Sequence, residues 1–444
     1  MIGVSPHMGQ VGGGPKSSSP SKSPTRLLRL PNYRRLWVGW MAFALGGPLG
    51  GIVIIWLAYA ATYSAVWIAI IGIAQFVPTL ALGIVAGVLI DRWDRRRLMI
   101  ACNAANAVAM AFLAAFVWTH GVNLPVLIGA AFVTASFNTI LRPAVDATIP
   151  RVLGPQDLTD GNGLMQSGAS IASVVGISSA GLLIVSIGPT VGLALNAATY
   201  AIGAAMIFQM VIPAAPREGP ATAEQRWSLL GEVKDGFRYL RSKIDLLTLT
   251  LSGMGVSFFY TIPYDFVVFY AGEHLHAGAL GYAVLVAATT AGWGIGGLLP
   301  GRLNTERSPG LWILASGVLA GSTVIVMAFT PSLWGAVALS LLLGTVLSVG
   351  GVVFLTGVQR AVPDEYLGRY LSIDQAGGYA LVPAAEVVGA LAVLRFGISW
   401  CYAFSGVGLV ICSLPLATKA VRNWRPGSKR IAPAPLDGDR EGLK

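Results

Sequence analysis

The chain has 444 residues, 55% of them hydrophobic and 11% charged, with a mean hydropathy of +0.68. A soluble domain carries about 25% charged residues, so an ordinary soluble fold is excluded and the apolar excess has to be hidden in lipid. The net charge of +10 does not point to nucleic acid, because the basic residues sit between apolar runs rather than on aromatic-interleaved stretches, and an anionic membrane leaflet is the better partner.

Residues 1–30 read as a disordered cytoplasmic tail. It is rich in Gly, Ser, Pro and Lys to about Thr25, without the apolar region of a signal peptide. Arg26, Arg29, Arg34 and Arg35 then form a basic lead-in. From Leu36 onward twelve apolar segments follow, at approximately 36–61, 66–90, 98–118, 125–142, 163–187, 190–212, 246–270, 279–300, 309–329, 333–357, 371–394 and 398–418. Each is near the ~20 residues a bilayer requires, and such runs are too long for barrel strands, so they are expected to be helices. With the N-terminus placed inside, every Lys and Arg of the connections and tails falls on the inner side except Arg395. That asymmetry predicts both termini in the cytoplasm. Cys102, Cys401 and Cys412 lie inside apolar segments at no metal-ligand spacing, which argues against a disulfide framework.

The long connection 213–245 carries Trp227, Leu230, Val233, Phe237 and Leu240 largely on one face, and predicts an amphipathic helix at the cytoplasmic surface. It separates a first six-helix bundle, residues 31–212, from a second, 246–420, with a cytoplasmic tail at 421–444. Two landmarks recur between the bundles at nearly one offset. Gly87-Val88-Leu89-Ile90-Asp91-Arg92 corresponds to Gly297-Leu298-Leu299-Pro300-Gly301-Arg302, and Pro155-Gln156-Asp157-Leu158 to Pro363-Asp364-Glu365-Tyr366-Leu367. A duplicated six-helix unit follows, giving an all-α integral membrane fold of twelve helices in two pseudo-symmetric bundles.

The connection between the second and third helices packs Gly87, Asp91, Arg92, Arg95 and Arg96 into a short basic turn. It resembles the G-x-L-a-D-r-x-G-r-r-x signature of the major facilitator superfamily, with Asp94 where that family usually has glycine. Three further stretches resemble the branch of enterobactin exporters, macrolide efflux proteins and transmembrane secretion effectors. These are Asn32 to Trp37, Arg142-Pro143-Ala144 through Pro150, and Val362-Pro363-Asp364-Glu365 through Arg369. The resemblance implies a secondary transporter of a bacterial plasma membrane, exporting small organic molecules of drug, macrolide or siderophore class by alternating access. It also implies two bundles facing each other across a cavity lined by helices one, four, seven and ten. Two departures bear on coupling. Gly176-Ile177-Ser178-Ser179-Ala180-Gly181 lacks the proline of an antiporter-associated element, and Leu45-Gly46-Gly47-Pro48 lacks the acid many relatives carry in the first helix.

The resemblance gives Gly87, Asp91, Arg92, Arg95, Arg96 and, in the second copy, Arg302 a conformational gating role. Asp374, at the start of the eleventh segment, is expected to act as a gate or helix cap. Glu386 lies roughly 24 Å into that helix, toward the outer half, by the rise of an α-helix. A carboxyl there must face the bundle interior or water, and either responds to protons or another coupling ion, or bonds structurally to neighbouring Ser or Tyr. Asp265 follows Pro263 and Tyr264, with Phe258, Phe259 and Tyr260 one turn earlier. Pro263 can kink the helix and free a carbonyl, while Tyr260 and Tyr264 offer flat surfaces for an organic ligand. Glu273, His274 and His276 read as a solvated outer loop rather than a metal site. No nucleophile–base pair or phosphate-cradling loop is present, so an enzyme, a cofactor and ATP hydrolysis are not expected. The alternatives are an importer or facilitator on the same fold and, from another class, a non-transporting sensor or membrane enzyme. A monomer is expected.

Overall fold

The computed structural model describes residues 24–154, 157–211, 238, 240–300, 303, 305, 308–418 and 421. Twelve helices in it are long and apolar enough to cross a membrane, and no strand occurs among the described residues. They are α1 (Pro31–Thr62), α2 (Ala65–Arg92), α3 (Arg95–His120), α4 (Leu124–Asp146), α5 (Leu158–Ser186) and α6 (Pro189–Phe208). The second set comprises α7 (Ile244–Asp265), α8 (Gly278–Leu298), α9 (Pro309–Phe329), α10 (Leu333–Ala361), α11 (Asp364–Ala380 and Val382–Phe396) and α12 (Ile398–Ser413). The helices follow the predicted segments in number and order. The predicted amphipathic helix of the linker lies mostly outside the described residues.

Helix ends follow local chemistry. Proline stands in the first turn of α1, α4, α6 and α9, where its missing N–H has no intrahelical partner to lose. The Asp94 side chain accepts from the Arg97 N–H at 2.8 Å and so caps α3, which accounts for an acid where the family signature has glycine. Asn123 and Ser332 cap α4 and α10 in the same way.

Within the first set α1 packs on α5 and α6, α2 on α4, and α3 on α6; within the second α8 packs on α10 and α9 on α12. Between the sets the extensive pairings are α5 with α8 and α2 with α11. The apolar core shows how the halves meet. One cluster joins them at the face away from the Arg92–Arg95 turn, running from Val53, Tyr59 and Ile68 to Phe266, Phe269 and Ala279. On the basic face each half keeps its own cluster, one around Tyr33, Leu98 and Leu141, the other around Leu246, Val358 and Tyr370. Among the described residues the halves are therefore joined at the face opposite the basic turn and keep separate clusters at the basic face.

Small residues make the close approaches possible. A Cβ on Gly292 or Gly296 would run into the α10 backbone at Leu341 and Thr345, and one on Gly344 into the Thr289 carbonyl of α8. The glycine-rich run Gly292 to Gly297 thus lets α8 and α10 touch backbone to backbone. In the motif that lacks proline, Gly176 seats against the Leu45 carbonyl of α1, while Gly181 faces Ala279 and Ala283 of α8 across the halves.

Candidate functional site

Two helices carry an internal proline close to the centre of the molecule, the kind of place where an α-helix bends, and each proline has the same local effect. Proline lacks the N–H that would bond the carbonyl four residues earlier, so it leaves that carbonyl free. In α7, Pro263 frees Phe259, whose carbonyl accepts from the Ser405 hydroxyl of α12, and the Tyr402 hydroxyl donates to the Pro263 carbonyl at 2.8 Å. In α1, Pro48 frees Ala44, whose carbonyl accepts from Ser173 of α5 at 3.1 Å. Asn196 of α6 donates to the Gly46 carbonyl at 2.5 Å, within a turn of the same proline. These bonds fix helix segments that would otherwise expose bare carbonyls at mid-membrane.

Between these proline sites lies a cavity of about 510 Å³ at the junction of the halves. Its walls come from α1 (Gly47, Pro48), α2 (Gly72, Gln75, Phe76), α5 (Ser173), α7 (Tyr264, Asp265), α8 (Tyr282, Thr290) and α11 (Val382, Glu386). None of the lining residues is Lys, Arg or His. Above it the halves are closed by rings. Tyr59 meets Phe269 edge-on at 4.9 Å between centroids, with Gly272 packed directly on the Tyr59 hydroxyl. On the side toward the basic face, Phe76 of the cavity wall crosses to Tyr379 between α2 and α11 at 5.6 Å.

The two carboxyls named from sequence are brought together. Asp265 and Glu386 lie within hydrogen-bonding reach of each other at the cavity wall. Glu386 is 1% exposed, and its Oε2 has no hydrogen-bond partner among the described residues. Its other oxygen rests on Gly72 of the opposite half, so close that a Cβ at Gly72 would collide with it. Two like charges about 4 Å apart repel by about 4 kcal/mol at the dielectric typical of protein, and no cation among the lining groups offsets that.

The aromatic residues divide. Tyr264 lines the cavity, whereas Tyr260 lines a smaller neighbouring pocket with Met327, Ser340 and Tyr402, and packs on Tyr264 and Trp293. Helices one and seven line the cavity as expected, but α4 and α10 contribute no residue to it. The reason is where the halves touch: directly beneath the seal the helices in contact are α2, α5, α8 and α11. The polar side chains of α4 bond inside their own half, Asn138 accepting from Asn106 at 2.8 Å and Thr139 meeting Thr79 at 3.3 Å.

Among the expected gating residues, the described side chains of Arg95 and Arg96 sit apart from the cavity. Of Gly87, Asp91 and Arg92 only the helical backbone is described, and Arg302 lies outside the described residues. Arg95 donates to the Ala147 carbonyl at 2.6 Å, past the end of α4. Arg96 donates to the carbonyls of Ile207 and Phe208 and lies over the Phe208 ring, at the end of α6. In this state both arginines tie the turn to helix C-termini of their own half, where cations are favoured. Asp374 does not cap α11, which begins ten residues earlier, at Asp364. It pairs instead with Thr250 of α7, whose hydroxyl also meets Tyr370 at 2.8 Å.

The outer loop after α7 is also different from expectation. The helix continues through Val267–Phe269 into a π-helical turn, Tyr270–His274. His274 stacks on Tyr270, its Nε2 donates to the Thr330 carbonyl at 3.0 Å, and its Nδ1 faces the Ser399 hydroxyl at 2.9 Å. Because a carbonyl can only accept, Nε2 carries the proton and both nitrogens are occupied. No group of residues able to hold a metal occurs among the described residues. Gly72, Gln75 and Ser173 are site residues that the sequence reading missed. A lone amide at Gln75 within an apolar run was the available signal; Gly72 had none.

The family described as transmembrane secretion effector matches residues 22–436. The multidrug efflux pump Tap of Mycobacterium tuberculosis is 25% identical over 80% of this chain and 85% of its own length. Macrolide efflux protein A of Streptococcus pyogenes is 25% identical over 86% of this chain and 93% of its own. Among solved structures the nucleoside transporter NupG superposes with a TM-score of 0.65 at 13% identity, covering 87% of this chain and 98% of that one. A bacterial homologue of the lysosomal transporter Spinster gives 0.61 at 14%, over 91% and 97%. These two likenesses show the fold.

Proposed function

This chain belongs to the transmembrane secretion effector family of major facilitator transporters, a multi-pass membrane protein, and from that premise we propose that it exports small organic molecules by alternating access, driven by protons moving the opposite way. The Lys and Arg asymmetry sets the basic face in the cytoplasm of a bacterial cell. The described state is then open inward and sealed outward. The carboxyl pair in the cavity carries the reading. A cavity of about 510 Å³ falls within the range that holds drug-sized ligands, and its walls mix aromatic, aliphatic and a few polar groups.

With two acids and no base in that wall, a lipophilic cation or a neutral drug fits better than an anionic siderophore. The same arithmetic couples the fluxes. Proton and cationic substrate relieve the same repulsion between Asp265 and Glu386, so either occupies the pair and each displaces the other. Opening toward an acidic exterior loads the proton; opening inward releases it and admits substrate. The relatives named as multidrug and macrolide efflux proteins support export and this substrate range.

The test is uptake of a fluorescent organic cation into inside-out vesicles. Uptake is expected when the vesicle interior is acid, to collapse with the gradient, and to be abolished in Glu386→Gln, which still binds the dye and supports counterflow. Gradient-independent equilibration would identify a facilitator, and accumulation by right-side-out vesicles an importer. Full gradient-driven uptake by Glu386→Gln would place coupling elsewhere.

A further inference from the structure

We propose that Gly72 is the seat on which the Glu386 carboxyl latches the two halves together, so that the outer seam between α2 and α11 stays shut while the Asp265–Glu386 pair is protonated and parts when it has lost its proton, whether or not a cationic substrate then draws the carboxylates into the cavity. The inference rests on the proton-coupled reading above and adds to it a positioning residue and a direction.

Geometry carries it. Glu386 is the second half's carboxyl, yet its oxygens and carboxyl carbon lie directly on the Gly72 backbone of the first half. Even a methyl group there would overlap the carboxyl, so any larger residue requires Glu386 to move off its seat. The contact lies beneath the ring seal of Tyr59 and Phe269, within the apolar cluster that spans both halves. Glu386 is buried there with one oxygen unpartnered.

The surroundings from each packed element are one-sided. The described side chains of α2, residues 65–82, include no acid, lysine, arginine or histidine. From α7 come Asp265, Tyr264 and Tyr260, from α8 Tyr282, and from α12 Cys401 and Tyr402. The other charged side chains described on α11 itself, Asp374 and Arg395, stand more than two turns away along the helix. Among the described residues no cation meets the pair. A buried charge without a partner is costly, whereas a neutral carboxyl pair packs against bare backbone without that penalty. The closed seam therefore selects the protonated pair, and by reciprocity protonation selects the closed seam. Loss of the proton would draw water to the carboxylates, and water can reach Glu386 at the Gly72 contact only if α2 and α11 separate.

The seam can be read without transport. Spin labels at Val122→Cys, between α3 and α4, and Trp334→Cys, at the start of α10, both exposed on the outer face, report the separation of the halves in a protein free of Cys102, Cys401 and Cys412. In lipid nanodiscs the ratio of long to short distances is expected to rise from about pH 5 to about pH 9, by at most about tenfold per pH unit for one proton. In the absence of dye, Glu386→Gln should keep the short distance at every pH. Gly72→Ala should hold the long distance at every pH, and adding Glu386→Ala, which vacates the space, should restore the short one without any pH response. A pH-independent parent distance overturns the latch. So does a Gly72→Ala protein that responds like the parent. If Gly72→Ala does not fold, recovery of a folded, closed protein by the double variant supports the seat, and its failure to recover overturns it. A seam that responds to pH in a protein whose uptake ignores the gradient would leave the latch standing and refute the proton-driven export.

Discussion

Ser173 and Ser405 do the same task in different halves: each gives its hydroxyl to the carbonyl that a proline four residues on has deprived of its donor. The consequences of losing them differ by place. Ser405 is fully buried between α7 and α12, away from the cavity lining, so Ser405→Ala leaves the Phe259 carbonyl bare. That should lower stability by about 1–3 kcal/mol, the cost of an unsatisfied buried acceptor, while dye affinity stays near that of the parent. Thermal unfolding in detergent beside equilibrium dye binding separates the two effects; an unchanged melting temperature would show that the carbonyl needs no partner. The carbonyl that Pro263 frees was legible in the sequence. Its partner was not, because nothing local marks a serine 142 residues further on as the donor. Asp265 and Glu386 were each legible as acids within apolar runs. Their meeting was not, since it depends on how α7 and α11 are rotated against each other.

At the scale of helices, composition announced the segments and packing decided their details. Apolar runs of spanning length, broken by Pro and basic turns, placed the ends of most helices. The π-helical turn after α7 was hidden, because Tyr270 to His274 reads as the polar exit from a membrane. What holds it helical is tertiary: Tyr270 donates to the Met327 carbonyl at 2.7 Å, and His274 bonds to the start of α12 and the end of α9. The absence of α4 and α10 from the cavity wall was equally invisible, for pseudo-symmetry predicts equivalent helices but not which of them touch in a given state. The α8–α10 contact is a sharper case. Gly344 meets the Thr289 carbonyl and the Trp293 ring with no room for a side chain. Gly344→Val should destabilise the second half by about 1–3 kcal/mol through forced separation of the two helices. The drop would appear as lower folded yield and an earlier melting point, whereas Gly294→Val, at an open position, should change neither.

For the whole molecule, the described state opens toward the basic face, and the cavity should report that directly. With the native cysteines replaced, Gln75→Cys and Ser173→Cys should react with a membrane-impermeant maleimide applied to the cytoplasmic face of inside-out vesicles. The same sites should be protected when the reagent is applied to right-side-out vesicles, where the Tyr59–Phe269 seal intervenes. Equal labelling from both sides would mean that the seal is not closed in the membrane. Charge asymmetry gives the sequence an expected orientation, which this labelling tests. Which face is shut was not legible there, because a transporter's sequence must satisfy both states and names neither.

The seal has a thermal consequence. The cluster that joins the halves is almost wholly aliphatic and aromatic, while each basic-face cluster belongs to one half and survives intact when the halves rock apart there. Opening outward must therefore hydrate apolar surface at the seam, and hydration of apolar surface raises heat capacity and costs less as water cools. The balance between the two orientations should accordingly curve with temperature, cold favouring the outward one. A cell membrane that chills would find its exporters resting with their mouths turned to the outside.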